Sequence, residues 1–500
     1  MAPASKPRTV LLAIDQGTTG TKALLLDSRL RVLAEESREF PQSFPRPGWV
    51  EHDLDEIHAS VRHAVEGALA SSGVAAREIA AIGIANQRET TAVWDKRTGK
   101  PVYPAIVWQD RRTAETCAEL RRRGLEGTFR LKTGLVLDPY FSGTKVAWIL
   151  ENVPGARRAA RSGRLLFGTV DTYLVWCLTA GESHVTDVSN ASRTLLMDLR
   201  STAWSDEILG ILGIPPSMLP EIRDNDRVFG RTRDVGWLPD GIPIATVLGD
   251  QQAALFGQAC FSVGEAKCTY GTGAFLVAQT GEKIVRSRHG LVSTAAWRRG
   301  GKTHYAVEGS TFVAGAVVQW LRDGLGIIRS SGEVEALARR VEDSGGVVFV
   351  PAFTGLGAPH WNPQARGLIC GLTRGTTSAH IARAALEGIA FQIRDLVACA
   401  VRDTGRSLKA LKVDGGAVVN DLLMQFQADI LGLDVLRPRF TSTTALGAGA
   451  MAGLTTGVFS SEEEIRRTWK LDRRFRPRMK PGERSRRERM WEEALRRVRT

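Results

Sequence analysis

Two strand-turn-strand units built around glycine and threonine constrain this chain more than any other feature. Residues 9–14 form an apolar, β-prone run that ends in Asp15-Gln16-Gly17-Thr18-Thr19-Gly20-Thr21, and a second apolar run follows at 23–26. A Gly/Thr-rich turn between two such runs reads as a β-hairpin. A strand at 32–35, a helix at 54–70 and a strand at 79–85 come next, which makes the layer mixed α/β. The pattern returns in the second half. A strand at 244–248 ends in Gly249-Asp250-Gln251-Gln252, an apolar helix carries the chain to Ala259, and strands at 265–270 and 274–279 flank the turn Gly271-Thr272-Gly273. A third glycine turn, Asp414-Gly415-Gly416-Ala417, follows a strand at 410–413 and opens a helix near Asn420. Two similar halves with turns facing a shared cleft account for all three. The halves are expected as lobes 1–254 and 255–500, the second ending in a basic tail from about 465.

Composition narrows the class. A chain of 500 residues, 43% hydrophobic and 24% charged, is an ordinary globular sequence of more than one domain. The longest apolar run near the N-terminus is 10–14, so neither a membrane span nor a signal-peptide core is expected. The six cysteines lie apart in apolar surroundings with no C-x-x-C pair, as thiols do in a reducing, cytoplasmic compartment. The net charge of +13 suggests a polyanion partner, but residues 465–500 hold 15 Arg and Lys against 5 Asp and Glu. The excess belongs to the tail, where Glu residues interrupt the arginines and Met490, Trp491, Leu495 and Val498 recur at helical spacing. A solvated terminal helix is expected there, with no specific nucleic-acid site.

Backbone N–H groups in a tight Gly/Thr turn converge on a point, and the missing Cβ lets a phosphate approach. Neither a Walker A sequence nor a protein-kinase glycine loop is present, so the turns suggest phosphate binding of a third kind. Asp15 and Asp250 end equivalent strands, where a carboxylate either holds Mg²⁺, directly or through water, or caps a helix. Arg88-Glu89 offers donors beside an acceptor, either a vicinal-hydroxyl site or a surface ion pair. Trp108 and Phe275 read by spacing as core aromatics.

Taken together, Asp15-Gln16-Gly17-Thr18-Thr19, Asn86-Gln87-Arg88-Glu89-Thr90-Thr91, Ile106-Val107-Trp108-Gln109, Gly249-Asp250-Gln251-Gln252-Ala253, Thr269-Tyr270-Gly271-Thr272-Gly273 and Val413-Asp414-Gly415-Gly416-Ala417 resemble the glycerol kinases of the FGGY carbohydrate kinase family. Residues 140–152 and 367–387 resemble two longer patterns of that family. The resemblance implies an α/β fold of two actin-like, ribonuclease-H-like lobes, with ATP and glycerol meeting in the cleft. It implies Asp250 as the general base and Asp15 as the carboxylate associated with Mg²⁺. Arg88, Glu89, Tyr140, Asp250 and Gln251 then match the polyol-binding positions, with Trp108 and Phe275 packing on the carbon chain. Thr18, Thr19, Gly20, Lys22 and Thr272 match phosphate contacts. Gly315, Gln319, Gly416 and Asn420 match the adenine-nucleotide side.

One position departs from the family pattern. Lys22 stands where Arg is common, which keeps the charge but loses the two-pronged hydrogen bond and suggests modestly weaker nucleotide affinity or rate. The stretch 234–243, which matches a fructose 1,6-bisphosphate loop of some bacterial relatives, has no Arg or Lys and carries Asp234 and Asp240, so little inhibition by that ligand is expected. The resemblance also implies a homodimer or homotetramer. The competing readings are a related pentulose kinase and an actin-like nucleotide switch without an acceptor.

Overall fold

The computed structural model describes residues 9–499. Strand β1 (Val10–Gln16) is buried on both faces through Ile14, as a strand between two layers must be. It pairs antiparallel with β2 (Gly20–Asp27), which pairs antiparallel with β3 (Val32–Glu39). On its other side β1 runs parallel to β4 (Ile79–Asn86). The edge strand β5 (Gly230–Arg231) pairs with β6 (Pro243–Gly249), which is parallel to β4, so the sheet runs β5-β6-β4-β1-β2-β3.

A second sheet repeats the plan. It contains β7 (Ala266–Tyr270), β8 (Ala274–Gly281), β9 (Val292–Arg299), β10 (Lys302–Thr311), β11 (Leu411–Asp414), β12 (Val435–Pro438) and β13 (Leu471–Phe475), in the order β9-β10-β8-β7-β11-β12-β13. Each sheet sets an antiparallel hairpin beside parallel strands, the duplicated actin-like, ribonuclease-H-like architecture. The copies differ in detail, because β10 lies next to the second hairpin and β9 is pushed to the edge.

Alternation on β1 shows how the layers assemble. Val10, Leu12 and Ile14 pack toward helix α1 (Leu54–Ser72), which is capped by Asp53 and stopped at Gly73 with φ 66°. Leu11 and Ala13 face the opposite way, onto helices α2 (Asp250–Gly257) and α3 (Thr443–Thr455). Val277, Trp297 and Ala306 of the second sheet meet the same two helices from their far side. One apolar layer therefore joins both lobes. The chain passes from the first sheet to the second along α2, and the turn between sheets lies between Gly257 and Ala266.

The region beyond 465 is not a tail. β13 completes the second sheet against β12, and helix α4 (Pro481–Arg499) packs on the lobe. Trp491 stacks on Phe391 with ring centroids 5.1 Å apart, and its Nε1 donates to Asp395 Oδ2 at 2.8 Å. Trp491, Ala494 and Leu495 are buried, Met490 and Val498 half-buried. Arg487 is not left in water either, since it pairs with the buried carboxylate of Glu387 at 3.2 Å. All six cysteines are free thiols. Among the described residues, no helix is long and apolar enough to cross a membrane.

Candidate active site

Five strand ends and turns converge at the cleft between the sheets. Asp15 closes β1 opposite Lys22 on β2. Burial first, and then the Asp250 and Asp414 carboxylates, push its carboxyl up to about 7, while Lys22 opposes the shift. No hydrogen-bond partner holds the Asp15 carboxylate among the described residues. In the turn that follows, Thr18 Oγ1 accepts a 2.8 Å bond from Trp108 Nε1, so its own O–H stays free to donate. Thr19 is exposed and Gly20 half-buried. Lys22 Nζ lies 2.6 Å from Glu35 Oε1 and donates to Ser442 Oγ at 2.7 Å, a bond that crosses from one lobe to the other.

Asp250 is the first residue of α2, and Gly249 occupies the cap position, its N–H held by Ser189 Oγ at 2.8 Å. Asp250 is thus no helix cap. Its Oδ1 lies 3.0 Å from Arg88 Nε and accepts from Gln251 N at 2.7 Å, while Oδ2 accepts from Gln251 Nε2 at 3.2 Å. The side chain remains 29% exposed to the cleft. Gln251 in turn accepts from the buried Lys267, which also donates to Thr269 Oγ1 at 2.7 Å. Thr269 donates to Asp414 Oδ1 at 2.5 Å, and Thr443 and Gln258 donate to Oδ2 at 2.7 and 2.8 Å.

The surface ion pair offered for Arg88-Glu89 is ruled out, because Arg88 is only 2% and Glu89 1% exposed. Arg88 is gripped by Glu308 on β10 through Nη1 at 2.5 Å and Nη2 at 2.8 Å, and Nη1 also donates to Gln252 Oε1 at 3.1 Å. Glu89 sits at φ 61°, a strained backbone for a non-glycine residue and a common mark of a binding or catalytic site. Its Oε1 accepts from Arg193 Nε at 2.6 Å, and Ser142 Oγ and Lys145 Nζ reach its backbone oxygen. Burial pushes the Glu89 carboxyl up, against the pull of Arg193 and Arg88.

Trp108 and Phe275 are not simple core aromatics. Both are half-buried, and Trp108 makes edge contacts with Tyr140 at 5.5 Å and Phe275 at 6.2 Å. These rings form a wall drawn from both lobes. A cavity of about 590 Å³ opens beside it, lined by Trp108, Tyr140, Thr272 and Phe312 among others. Thr272 is exposed in the second hairpin turn, and its carbonyl accepts from Ala314 N at 2.8 Å. Gly315 N donates to Gly271 O at 2.9 Å, which docks the helix Gly315–Asp323 on that turn and leaves Gln319 exposed. Gly415 needs its glycine: φ is 93° and a Cβ would lie 2.5 Å from Tyr270 O. Gly416 beside it is exposed, while Asn420 is buried and caps the helix Asp421–Leu431 through Oδ1, leaving its amide nitrogen to offer.

Glu308, Arg193, Gln252, Lys267 and Asp414 are the parts that sequence reasoning did not assign. The signal for Glu308 and Lys267 lay in their setting, a charge at an inward position of an apolar strand, which cannot stay unpaired. The partners of Glu308, Arg88 and Arg193, lie far away in sequence, and periodicity does not reveal them.

The donor set suits a hard cation. Asp15, Asp250 and Asp414 converge electrostatically, yet no group of three or more acidic, His or Cys side chains closes a metal cage among the described residues. One unpaired carboxylate with others nearby is what Mg²⁺ uses when it keeps most of its waters and takes other ligands from phosphates.

Known proteins fit this architecture. Residues 10–257 match the N-terminal domain of the FGGY family of carbohydrate kinases, and 266–456 match its C-terminal domain. The chain is 57% identical to a glycerol kinase of Myxococcus xanthus, covering 98% of this chain and 99% of that one. It is 56% identical to a glycerol kinase of Chromobacterium violaceum, with 95% and 94% covered. A crystal structure of Plasmodium falciparum glycerol kinase with ADP superposes with a TM-score of 0.90 at 38% identity, covering 98% of both chains. With both halves matched and the likeness running nearly end to end, the chain belongs to the FGGY family of carbohydrate kinases.

Proposed function

We propose that this protein transfers the γ-phosphoryl group of ATP to glycerol, giving sn-glycerol 3-phosphate. The observation that carries the reading is the Asp250 carboxylate, open to the cleft and held by Arg88 and Gln251. The likeness above 50% to glycerol kinases over nearly the whole chain supports the choice of acceptor. Asp250 accepts the proton of the attacking hydroxyl. Arg88 and Glu89 orient the acceptor with one donor and one acceptor, with Tyr140 and Gln251 beside them and Trp108 and Phe275 packing on the carbons.

On the nucleotide side, the turns at Thr18, Thr19, Gly20 and Thr272 supply N–H and O–H donors to the phosphates, and Lys22 adds a charge. Gly315, Gln319, Gly416 and Asn420 border the adenosine. Asp15 would hold Mg²⁺, which would supply charge neutralisation to the phosphates. Phosphoryl transfer is mostly positioning and charge balance, and a cleft closed to water keeps the phosphoryl group from hydrolysis. A cytoplasmic, homodimeric or homotetrameric enzyme is part of the same reading.

The test is ADP release measured over a polyol panel, with Asp250→Asn alongside the parent protein. Glycerol should give the highest kcat/KM, and the amide, which cannot take up the hydroxyl proton, should cut turnover about 10²- to 10⁴-fold with ADP affinity nearly unchanged. Higher kcat/KM on xylulose or ribulose would overturn the acceptor. Turnover above half of the parent's in Asp250→Asn would overturn the base.

A further inference from the structure

We propose that Glu308 of the opposite lobe, with Arg193 of the same lobe, is a positioning residue that fixes the Arg88-Glu89 pair, so that the polyol site is assembled by an ion-pair network spanning both lobes. The inference rests on the functional reading above.

Arg88 and Glu89 follow β4 of the first sheet, whereas Glu308 stands on β10 of the second. The guanidinium of Arg88 has five N–H donors. Nε faces Asp250, Nη1 serves Glu308 and Gln252, and Nη2 gives one bond to Glu308. A single N–H on Nη2 is left for an acceptor oxygen. Glu89 is arranged in the same way: Oε1 is taken by Arg193, and Oε2 has no partner among the described residues. Within the Arg88-Glu89 pair, one N–H and one carboxylate oxygen are thus unspent, which is what two adjacent hydroxyls require, while Nη1 and Nη2 of Arg193 are buried without a hydrogen-bond partner beside them.

Burial makes the arrangement sensitive to every member. Glu308 is 1% exposed and Arg193 not at all. Arg193 Nη2 also lies 3.2 Å from Glu308 Oε1, and its guanidinium packs over the rings of Tyr140 and Phe141 at 5.5 and 5.2 Å. Despite burial, which would raise it, the Arg193 and Arg88 charges hold the Glu308 carboxyl down to about 2, so it is ionised. Two arginines and two glutamates balance, with Asp250 the one carboxylate left over. Removing the Glu308 charge leaves Arg88 with Asp250 at 3.0 Å and Glu89 at 3.9 Å as its anionic partners, and a guanidinium turned further onto Asp250 blocks the base and withdraws the free N–H from the acceptor. Removing one partner of such a two-pronged ion pair is costly, because it leaves the other charge buried and unpaired.

The experiment is a double-mutant cycle on the full chain with Glu308→Gln, Arg88→Ala and the pair. ADP affinity and Tm serve as folding controls. Glu308→Gln should lower kcat/KM for glycerol by about 100-fold while KM for ATP stays within about twofold. In the Arg88→Ala background the same change should cost less than about threefold, because the two residues act as one unit. Glu308→Asp, which keeps the charge with a shorter reach, should recover part of the loss. Should Glu308→Gln not fold, Arg193→Lys carries the same test, since it keeps the charge and loses the Nε bond to Glu89. A kcat/KM within about threefold of the parent in Glu308→Gln, or an equal fractional loss with and without Arg88, overturns the inference. Absence of glycerol phosphorylation in the parent protein would instead overturn the functional reading on which it rests.

Discussion

Asp171 is fully buried near the end of β4. Thr169 and Thr186 donate to it at 2.5 and 2.7 Å, and Asn86 Nδ2, at the end of β4, lies 3.5 Å away. Burial, reinforced by the nearby Asp187 carboxylate, pushes its carboxyl up to about 7. The sign of the resulting pH dependence follows from linkage. A carboxyl whose folded value is raised keeps its proton where the unfolded chain has already lost it. Its stabilisation is complete below the unfolded value of 3.8 and is lost as the pH rises toward 7. Asp171→Asn is neutral at every pH. Thermal melts should therefore show the variant gaining on the parent between pH 5 and pH 8, and parallel Tm-against-pH curves would show that Asp171 is ionised throughout. A single buried group of this kind is invisible in sequence, where Asp171 reads as an ordinary first-turn helix residue.

At the scale of elements, legibility followed local pattern. The β1 run, its Asp-Gly-Thr turn and the α1 helix could be read because period, capping residue and breaker all lie within a few positions of one another. The last helix was legible for the same reason, since Trp491 and Leu495 recur on one face. What escaped was long-range pairing. β13 reads as five mostly charged residues and joins the sheet because β12 offers an edge, while Arg88 finds Glu308 220 positions away. The depth of α4 in its lobe has a measurable consequence. Trp491→Ala should cost about 3–5 kcal/mol, the range for emptying a buried tryptophan site, and should also leave Asp395 Oδ2 without its hydrogen bond, with Arg394 still on Oδ1. Deletion of 484–500 should lower Tm at least as far, with KM for glycerol and ATP unchanged, because the nearest functional residues lie in other elements. Unchanged Tm with lost binding to a polyanion would mean that the helix is a docking arm instead.

The whole molecule turns on the crossing of α2 and α3, the two helices held between the sheets. They meet at glycines. A Cβ on Gly257 would lie 2.1 Å from Thr443 O, and one on Gly447 would lie 1.8 Å from Ala253 O. Neither obstacle is a flexible side-chain tip, so neither helix can give way without moving its lobe. α2 begins with Asp250, and α3 begins at Thr443, whose hydroxyl bonds Asp414. A shift at the crossing is thereby passed to both carboxylates at the cleft. Gly447→Ala should cost about 1–3 kcal/mol or more from overpacking alone, and it should also lower kcat, because the lobes must separate to admit the methyl group. A control in the same helix is available at Ala445, which is buried and stands about 200° around the helix from Thr443 and Gly447, so Ala445→Gly should destabilise without the matching loss of turnover. Melting and steady-state kinetics on the two variants separate the effects. Equal turnover in Gly447→Ala and the parent would mean that the helices slide past each other freely and that the crossing does not set the geometry of the cleft.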